Sequence, residues 1–263
     1  MTPRDKANLL AKTFVSKFSI PDIEANQFTS MGPETSCSQS GFLPIRLRLV
    51  QQVLCKLREE CAIGPDELSA RILKRFAKHL AIPIAFITRS ILKYGIWPEM
   101  WKIHWILPLY KKRSKINPSN YRGVHLTCQL SKVIERILGH YCSRFFEATN
   151  AYGQNQFAYM RNRGYRDCLA YNTCCWLKAF HDNKKVGLYC SDVSGAFDRV
   201  CSKRLLMKLR HSGLHRWLIQ VIAAWLNQRT AYVLVQGEKS GAFHSFSRRN
   251  PHNHIKRHSF SVQ

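Results

Sequence analysis

Apolar side chains recur every third or fourth residue in several stretches of this chain, and each such stretch predicts an amphipathic helix. Leu10, Phe14 and Phe18 mark one over 7–18, and a second is expected over 45–60. After Gly64-Pro65-Asp66-Glu67, the residues Leu68, Ile72, Phe76 and Leu80 recur every fourth position, with Leu73 and Ala77 beside them. Asp66 is expected to cap that helix and Glu67 to complement its dipole. Pro83 is expected to bend or restart the helix, and Gly95 to end the one that follows. Val133/Ile137/Tyr141 and Ile134/Leu138/Phe145 define a further helix over 131–147. Leu205, Leu206 and Leu209 define another, closed by Gly213, and 217–226 forms the next.

Strands are expected where the period falls to two or a short apolar run stands alone. These are 103–109, a buried strand over 186–193, and 231–235 followed by a turn at Gln236-Gly237. Residues 30–41 are turn formers and read as a linker. The expected fold class is α+β, helix-rich with a small antiparallel sheet.

Charge changes the picture. Forty-one Lys and Arg against sixteen Asp and Glu leave a net +25 on 263 residues. Self-repulsion of that size calls for a polyanion, nucleic acid first and an anionic membrane surface second. Between Glu99 and Glu135 there are seven Lys or Arg and no acid, and Trp101, Trp105 and Tyr110 stand among them. Basic residues interleaved with aromatics suit a nucleic-acid strand. The ten cysteines form no C-x-x-C pair and the eleven histidines are scattered, so no zinc site is expected. The cysteines read as reduced and mostly structural, which fits an intracellular compartment. No apolar run is long enough to span a bilayer, and Met1-Thr-Pro-Arg-Asp-Lys has no signal-peptide character.

The sharpest chemical signal is Ser191-Asp192-Val193-Ser194-Gly195-Ala196-Phe197-Asp198. An Asp at the end of an apolar strand places its carboxylate where Mg²⁺ and a substrate phosphate meet. Read alone, the same Asp has a lesser alternative, a cap for the helix that follows.

The motifs around it stand in a telling order. They are Gly64-Pro65-Asp66, Trp97-Pro98-Glu99-Met100-Trp101-Lys102 and Pro108-Leu109-Tyr110-Lys111-Lys112. Asn120-Tyr121-Arg122, Glu135-Arg136-Ile137-Leu138 and Gln156-Phe157 with Arg161 and Arg163 follow, then the Asp192 motif. From about residue 60 to about 243 this series resembles the reverse transcriptases of non-long-terminal-repeat (LINE-type) retrotransposons. The resemblance implies a partial right-hand polymerase, its fingers and upper palm over 61–243. A helical connector over 1–60 would precede it, and a basic tail over 244–263, expected to be disordered, would follow. It also implies roles. Asp192 would be the first metal-binding palm Asp, and Phe197 the aromatic gate against a ribose 2′-OH. Arg122, Lys111 and Lys112 would neutralise the triphosphate, while Arg113, Lys115, Arg161 and Arg163 would contact template-primer. Asp198 and Asp167 would be structural. Gly123 stands where the family has Pro, and Ala158-Tyr159-Met160 where it has Gly-Phe-Arg.

The family's reaction uses two Mg²⁺ ions held by convergent carboxylates. After Asp198 this sequence carries no Asp and a single Glu, Glu238. The expectation is therefore a fragment of an RNA-directed DNA polymerase that binds nucleic acid and dNTP but does not polymerise by itself. A non-catalytic nucleic-acid-binding module, or a polymerase completed in trans by another chain, are the alternatives. The strand over 186–193, without a hairpin to pair with, is expected to leave an apolar edge.

Overall fold

Alternation works as expected at the centre of the sheet. β1 (Ile103–Tyr110) buries His104 and Ile106 while Ile103 and Leu109 stay exposed. The computed structural model that shows this describes residues 1–18, 43–193, 196 and 200–245. β1 pairs antiparallel with β2 (Tyr121–Leu126), Leu109 opposite Arg122 and Tyr110 opposite Tyr121. On its other side runs β3 (Arg229–Val235), parallel to β1, with Trp105 level with Tyr232. β4 (Glu238–Lys239) and β5 (Phe243–Ser245) both pair antiparallel with β3. The order is β2-β1-β3-β4.

The sheet is thus mixed, not antiparallel. A parallel neighbour needs a long crossover, and nothing local in β1 or β3 records which way its distant partner runs. Gln236 and Gly237 form the expected turn, both with positive φ, as a two-residue hairpin between twisted strands requires. β5 also draws His244 and Ser245, the first residues of the expected tail, into the sheet; 246–263 lie outside the described residues.

α1 (Pro3–Phe18) lays Leu10, Ala11 and Phe14 on one face of the sheet, against Ile106, Ala231 and Val233. α2 (Leu47–Cys55) is shorter than expected and buries Val50 and Leu54.

The helix after Gly64 differs from expectation. It begins at Ala70, where Ser69 Oγ accepts the Arg71 N–H at 3.2 Å, and breaks at Phe76. α3 (Ala70–Arg75) and α4 (Ala77–Tyr94) result, and α4 runs through Pro83 to the left-handed Gly95. Pro83 lies on the exposed side, where solvent is available to the carbonyl left without an amide partner. Ile72 and Phe76 are about half exposed, while Leu73, Ala77, Ala81, Ile84, Thr88 and Ile91 are buried. A strict every-fourth-residue pattern winds about 40° round the helix at each step, so it leaves the core within a few turns.

α5 (Gln129–Ala148) buries Val133, Ile134, Ile137 and Leu138 as its stripe predicts. α7 (Ser202–His211) and α8 (Arg216–Leu226) stand where expected, Gly213 following α7 with positive φ. α6 (Tyr165–His181) buries no residue, so no periodic face announced it.

The chain divides into two compact units, Met1–His140 with Phe197–Gln263, and Tyr141–Ala196. The first holds the sheet. In the second, residues 186–193 are irregular and exposed, not a buried strand: Leu188, Tyr189 and Val193 are all well exposed. A single strand cannot satisfy its own backbone, and among the described residues none pairs with it. The expected linker at 30–41 lies outside the described residues, as do Phe197 and Asp198. Among the described residues no helix is long and apolar enough to cross a membrane.

Candidate nucleic-acid and nucleotide site

The hairpin joining β1 to β2 carries a cluster of basic residues in the first unit. Lys111, Lys112, Arg113 and Lys115 are exposed on its loop, and Arg122 is exposed on β2. The loop is held by its own aromatic and polar groups. The Lys111 N–H donates to the Asn120 carbonyl at 2.9 Å, closing the hairpin. The Tyr110 hydroxyl donates to the Arg113 carbonyl, and the Tyr121 hydroxyl to the Lys115 carbonyl at 2.9 Å. Asn120 Nδ2 donates to the Ser114 carbonyl at 2.7 Å, and Asn117 Oδ1 accepts the Ser119 N–H at 2.9 Å. The two tyrosine rings lie 5.6 Å apart, with the Lys115 ammonium 5.8 Å from the Tyr110 ring centre. Arg113 sits at a φ of 79°, a conformation the surrounding bonds impose. With the backbone carbonyls turned inward, the cationic side chains are left to solvent.

Gly123 explains its own departure from the family pattern. A Cβ there would stand 2.7 Å from Ile106 Cγ2. Arg122 consequently points to the opposite face, across from Leu109. A guanidinium free to present two parallel N–H groups is suited to phosphate.

The aromatic part of the basic region divides. Trp97 and Trp101 are buried and pack edge to face at 5.8 Å, and Lys102 is buried beside them in an ion pair with Glu99 at 2.8 Å. These are core residues, not a nucleic-acid surface. Trp105 and Tyr110 alone of that group remain partly accessible on the hairpin strands.

In the second unit Arg161 is exposed, and Arg163 has a local task. Its Nη1 donates to the Gln154 carbonyl at 2.9 Å and its guanidinium lies over the Phe157 ring, so it braces the loop that precedes α6. Asp167 Oδ2 accepts the Gly164 N–H at 2.7 Å at the start of α6, which is a capping role. Asp192 is exposed on irregular chain. Mg²⁺ demands near-octahedral oxygen ligation from convergent groups. Within Asp192's own unit, Asp167 is committed to its cap and Asp182 pairs with Lys184 at 3.5 Å. No group of three His, Cys, Asp or Glu able to hold a metal occurs among the described residues. The described residues therefore do not by themselves bring together the carboxylates of a Mg²⁺ pair.

Two constellations carried no local sequence signal. Asp66 caps α5 instead of its own helix: its Oδ2 accepts the Gln129 N–H at 2.7 Å and the Leu130 N–H at 3.4 Å. Gln129 Nε2 returns a bond to the Ala62 carbonyl at 2.7 Å. Gly64 fits because a Cβ would fall 2.3 Å from the Thr127 carbonyl oxygen. Gly64-Pro65-Asp66 is thus the clamp on the turn from β2 into α5.

The second is a buried polar cluster where β1 and β3 begin. Glu135 accepts the Ser131 hydroxyl at 2.7 Å and Trp225 Nε1–H at 3.0 Å. The Arg229 guanidinium lies 5.0 Å from the Trp225 ring centre, and Nη1 reaches the Trp225 carbonyl at 3.5 Å. Burial pulls the Arg229 pKa below its ordinary value, while Glu135 and Cys128 oppose that. His104 stacks on His125 at 5.0 Å. Burial first, then His125 and Arg229, push the His104 pKa down to about 3. Burial likewise pushes the Cys128 thiol up to about 11, a small apolar group in practice. Cys174, Cys175 and Cys190, by contrast, are exposed, not structural core.

No family model matches the chain. Individual relatives do. The chain is 29% identical over 199 residues to the RNA-directed DNA polymerase from mobile element jockey of Drosophila melanogaster, covering 74% of this chain and 21% of that protein. The jockey polymerase of Drosophila funebris is 27% identical over 198 residues, or 75% of this chain and 22% of the relative. A probable RNA-directed DNA polymerase from transposon BS of Drosophila melanogaster is 25% identical over 211 residues, or 78% and 23%. The chain spans about a fifth of the length of the curated relatives it matches. Over about three-quarters of its own length, then, this chain is similar to part of the RNA-directed DNA polymerases of mobile elements.

Proposed function

We propose that these 263 residues are the fingers and upper palm of a reverse transcriptase, holding nucleic acid and triphosphate without completing the catalytic centre. The observation that carries the reading is the β1–β2 hairpin. Its loop is braced so that Lys111, Lys112, Arg113 and Lys115 face solvent, with Arg122 on the adjoining strand and no acid on either strand or the loop. In this reading Lys111, Lys112 and Arg122 take the triphosphate, and Arg113, Lys115 and Arg161 take the template-primer backbone. Arg163 shapes the loop beside Arg161. Asp192 supplies one carboxylate of a Mg²⁺ pair whose other ligands the described residues do not bring to it, and Phe197 stands against the ribose.

The test is binding of a labelled RNA–DNA primer-template to the purified chain, followed by fluorescence anisotropy between 50 and about 200 mM salt. Steeply salt-dependent binding is expected. Changing Arg113, Lys115 and Arg161 together to Gln should lower the slope of log affinity against log salt by about 2. An unaltered slope, or no binding at low salt, rejects the reading. In a parallel assay no template-dependent dNTP incorporation is expected. Incorporation that disappears in Asp192→Ala would show a complete catalytic centre instead.

A further inference from the structure

One face of the sheet carries α1 and the core; among the described residues the other is open. On that second face no residue of β1, β2, β3 or β4 is buried, although several are large and apolar. Leu109 is 44% exposed and Val124 40%. Trp105 and Tyr232 stand level on neighbouring strands near the middle, both half-buried. Two cations share the face: Arg122 opposite Leu109, and Lys239 opposite Leu234. The Lys239 ammonium lies 4.9 Å from the Trp105 ring centre, and among the described residues it has no ion pair. No acid occurs in β1, β2 or β3, and Glu238 of β4 lies on the other side of the pleat, opposite Val235.

We propose that this open face is a stacking surface for the bases of an unpaired nucleic-acid strand, with Trp105 and Tyr232 beneath bases and Lys239 and Arg122 on the flanking phosphates. The inference rests on the reading that the chain binds nucleic acid, and it extends that reading to Tyr232 and Lys239, which lie outside every motif that suggested it. An apolar partner protein would also cover Leu109 and Val124, but it would bury Arg122 and Lys239 on a face that offers them no carboxylate. A single strand uses both: every base offers a π-face, and every nucleotide brings a phosphate. In the free protein the Lys239 ammonium lies over the indole face by cation–π attraction. A base that enters takes the indole, and the ammonium moves to the phosphate beside it. Arg122, on β2, stands three strands from Lys239 on β4 and nearer the basic loop, so a strand crossing the sheet runs from one cation toward the other while no triphosphate holds Arg122.

The test compares three labelled probes of equal length: an unstructured RNA, the same sequence as a duplex, and an abasic phosphodiester. The proteins are the full chain, Trp105→Leu, Tyr232→Leu and Trp105→Phe. Both positions are half-buried, so the Leu variants keep an apolar side chain there, and thermal melts check that they fold. Each should weaken unstructured RNA about tenfold, leave the abasic probe and the salt slope unchanged, and barely alter duplex binding. Trp105→Phe, which keeps a ring, should recover most of the loss and remains informative if a Leu variant melts early. Equal affinity of all four proteins for unstructured RNA, while neutralising Arg113, Lys115 and Arg161 still lowers it, would overturn the stacking surface and leave the proposed function standing. A Trp105→Leu effect seen on self-association by analytical ultracentrifugation but not on RNA would also overturn it, assigning the face to a second copy. No binding of any probe would remove both readings.

Discussion

His104 makes the fold sensitive to acid in a pH range where few other groups act. Its ring is fully buried, stacked on His125, with Arg229 and, beyond it, Glu135 as the charged neighbours. The pKa lies near 3 in the folded chain against 6.5 for a free histidine. Between those values the unfolded chain takes up a proton that the folded chain refuses, so stability falls as pH falls from 6.5 and is unaffected above it. The slope is about 1.4 kcal/mol per pH unit, or about 2 kcal/mol between pH 6.5 and pH 5. Asp5 and Glu59 do not confuse this window. Thr2 and Lys74 hold those carboxyls below their ordinary values of 3.8 and 4.5. What they contribute is present above those values and is lost only at lower pH. Urea unfolding followed by tryptophan fluorescence is the assay, since five of the six tryptophans belong to the unit that holds His104. His104→Phe keeps an aromatic ring against His125 but cannot titrate. The wild-type chain should lose about 2 kcal/mol more than the variant between pH 6.5 and pH 5. Parallel curves for the two proteins would refute the claim that a neutral, buried His104 sets this dependence.

Three further outcomes follow from the clamp and the hairpin. Asp66→Ala should cost about 1–2 kcal/mol by stripping the cap from the first amides of α5, and Asp66→Asn should restore most of it; equal urea midpoints for wild type and Ala would show that the cap is idle. Gly123→Ala should cost about 1–3 kcal/mol, because the new methyl meets Ile106 Cγ2 in a packed face, and a thermal melt unchanged within error would contradict the 2.7 Å approach. Tyr121→Phe removes the bond to the Lys115 carbonyl and should loosen the basic loop by about 1 kcal/mol. Hydrogen exchange at 113–116 should then quicken while the amides of β3 keep their protection, and unchanged exchange in the loop would show that Tyr121 does not brace it.

Arg122 shows how sequence and structure divide the candidate site between them. The run Asn120-Tyr121-Arg122 after a basic loop identified the residue, because the motif is contiguous and its chemistry is local. Which face it occupies was settled by Gly123 against Ile106, a contact with a distant part of the chain. Asp192 was equally legible as a residue type, yet the strand meant to present it is absent. Apolar composition over 186–193 specifies a readiness to pair, and pairing needs a partner.

The same division runs through the fold. Local periodicity by itself determined α5, α7, α8 and the strands β1 and β3, because apolar faces at spacings of 3.6 and 2 are properties of the segment alone. Glycine chemistry likewise determined the turn at Gln236-Gly237 and the end of α4 at Gly95. Only the tertiary structure decided that β1 and β3 run parallel, that Trp97 and Trp101 belong to the core, and that Asp66 serves α5 across 63 residues of sequence. A carboxylate caps whichever exposed amides lie within reach. Reach is set by how distant segments pack, and no window along the chain contains that information.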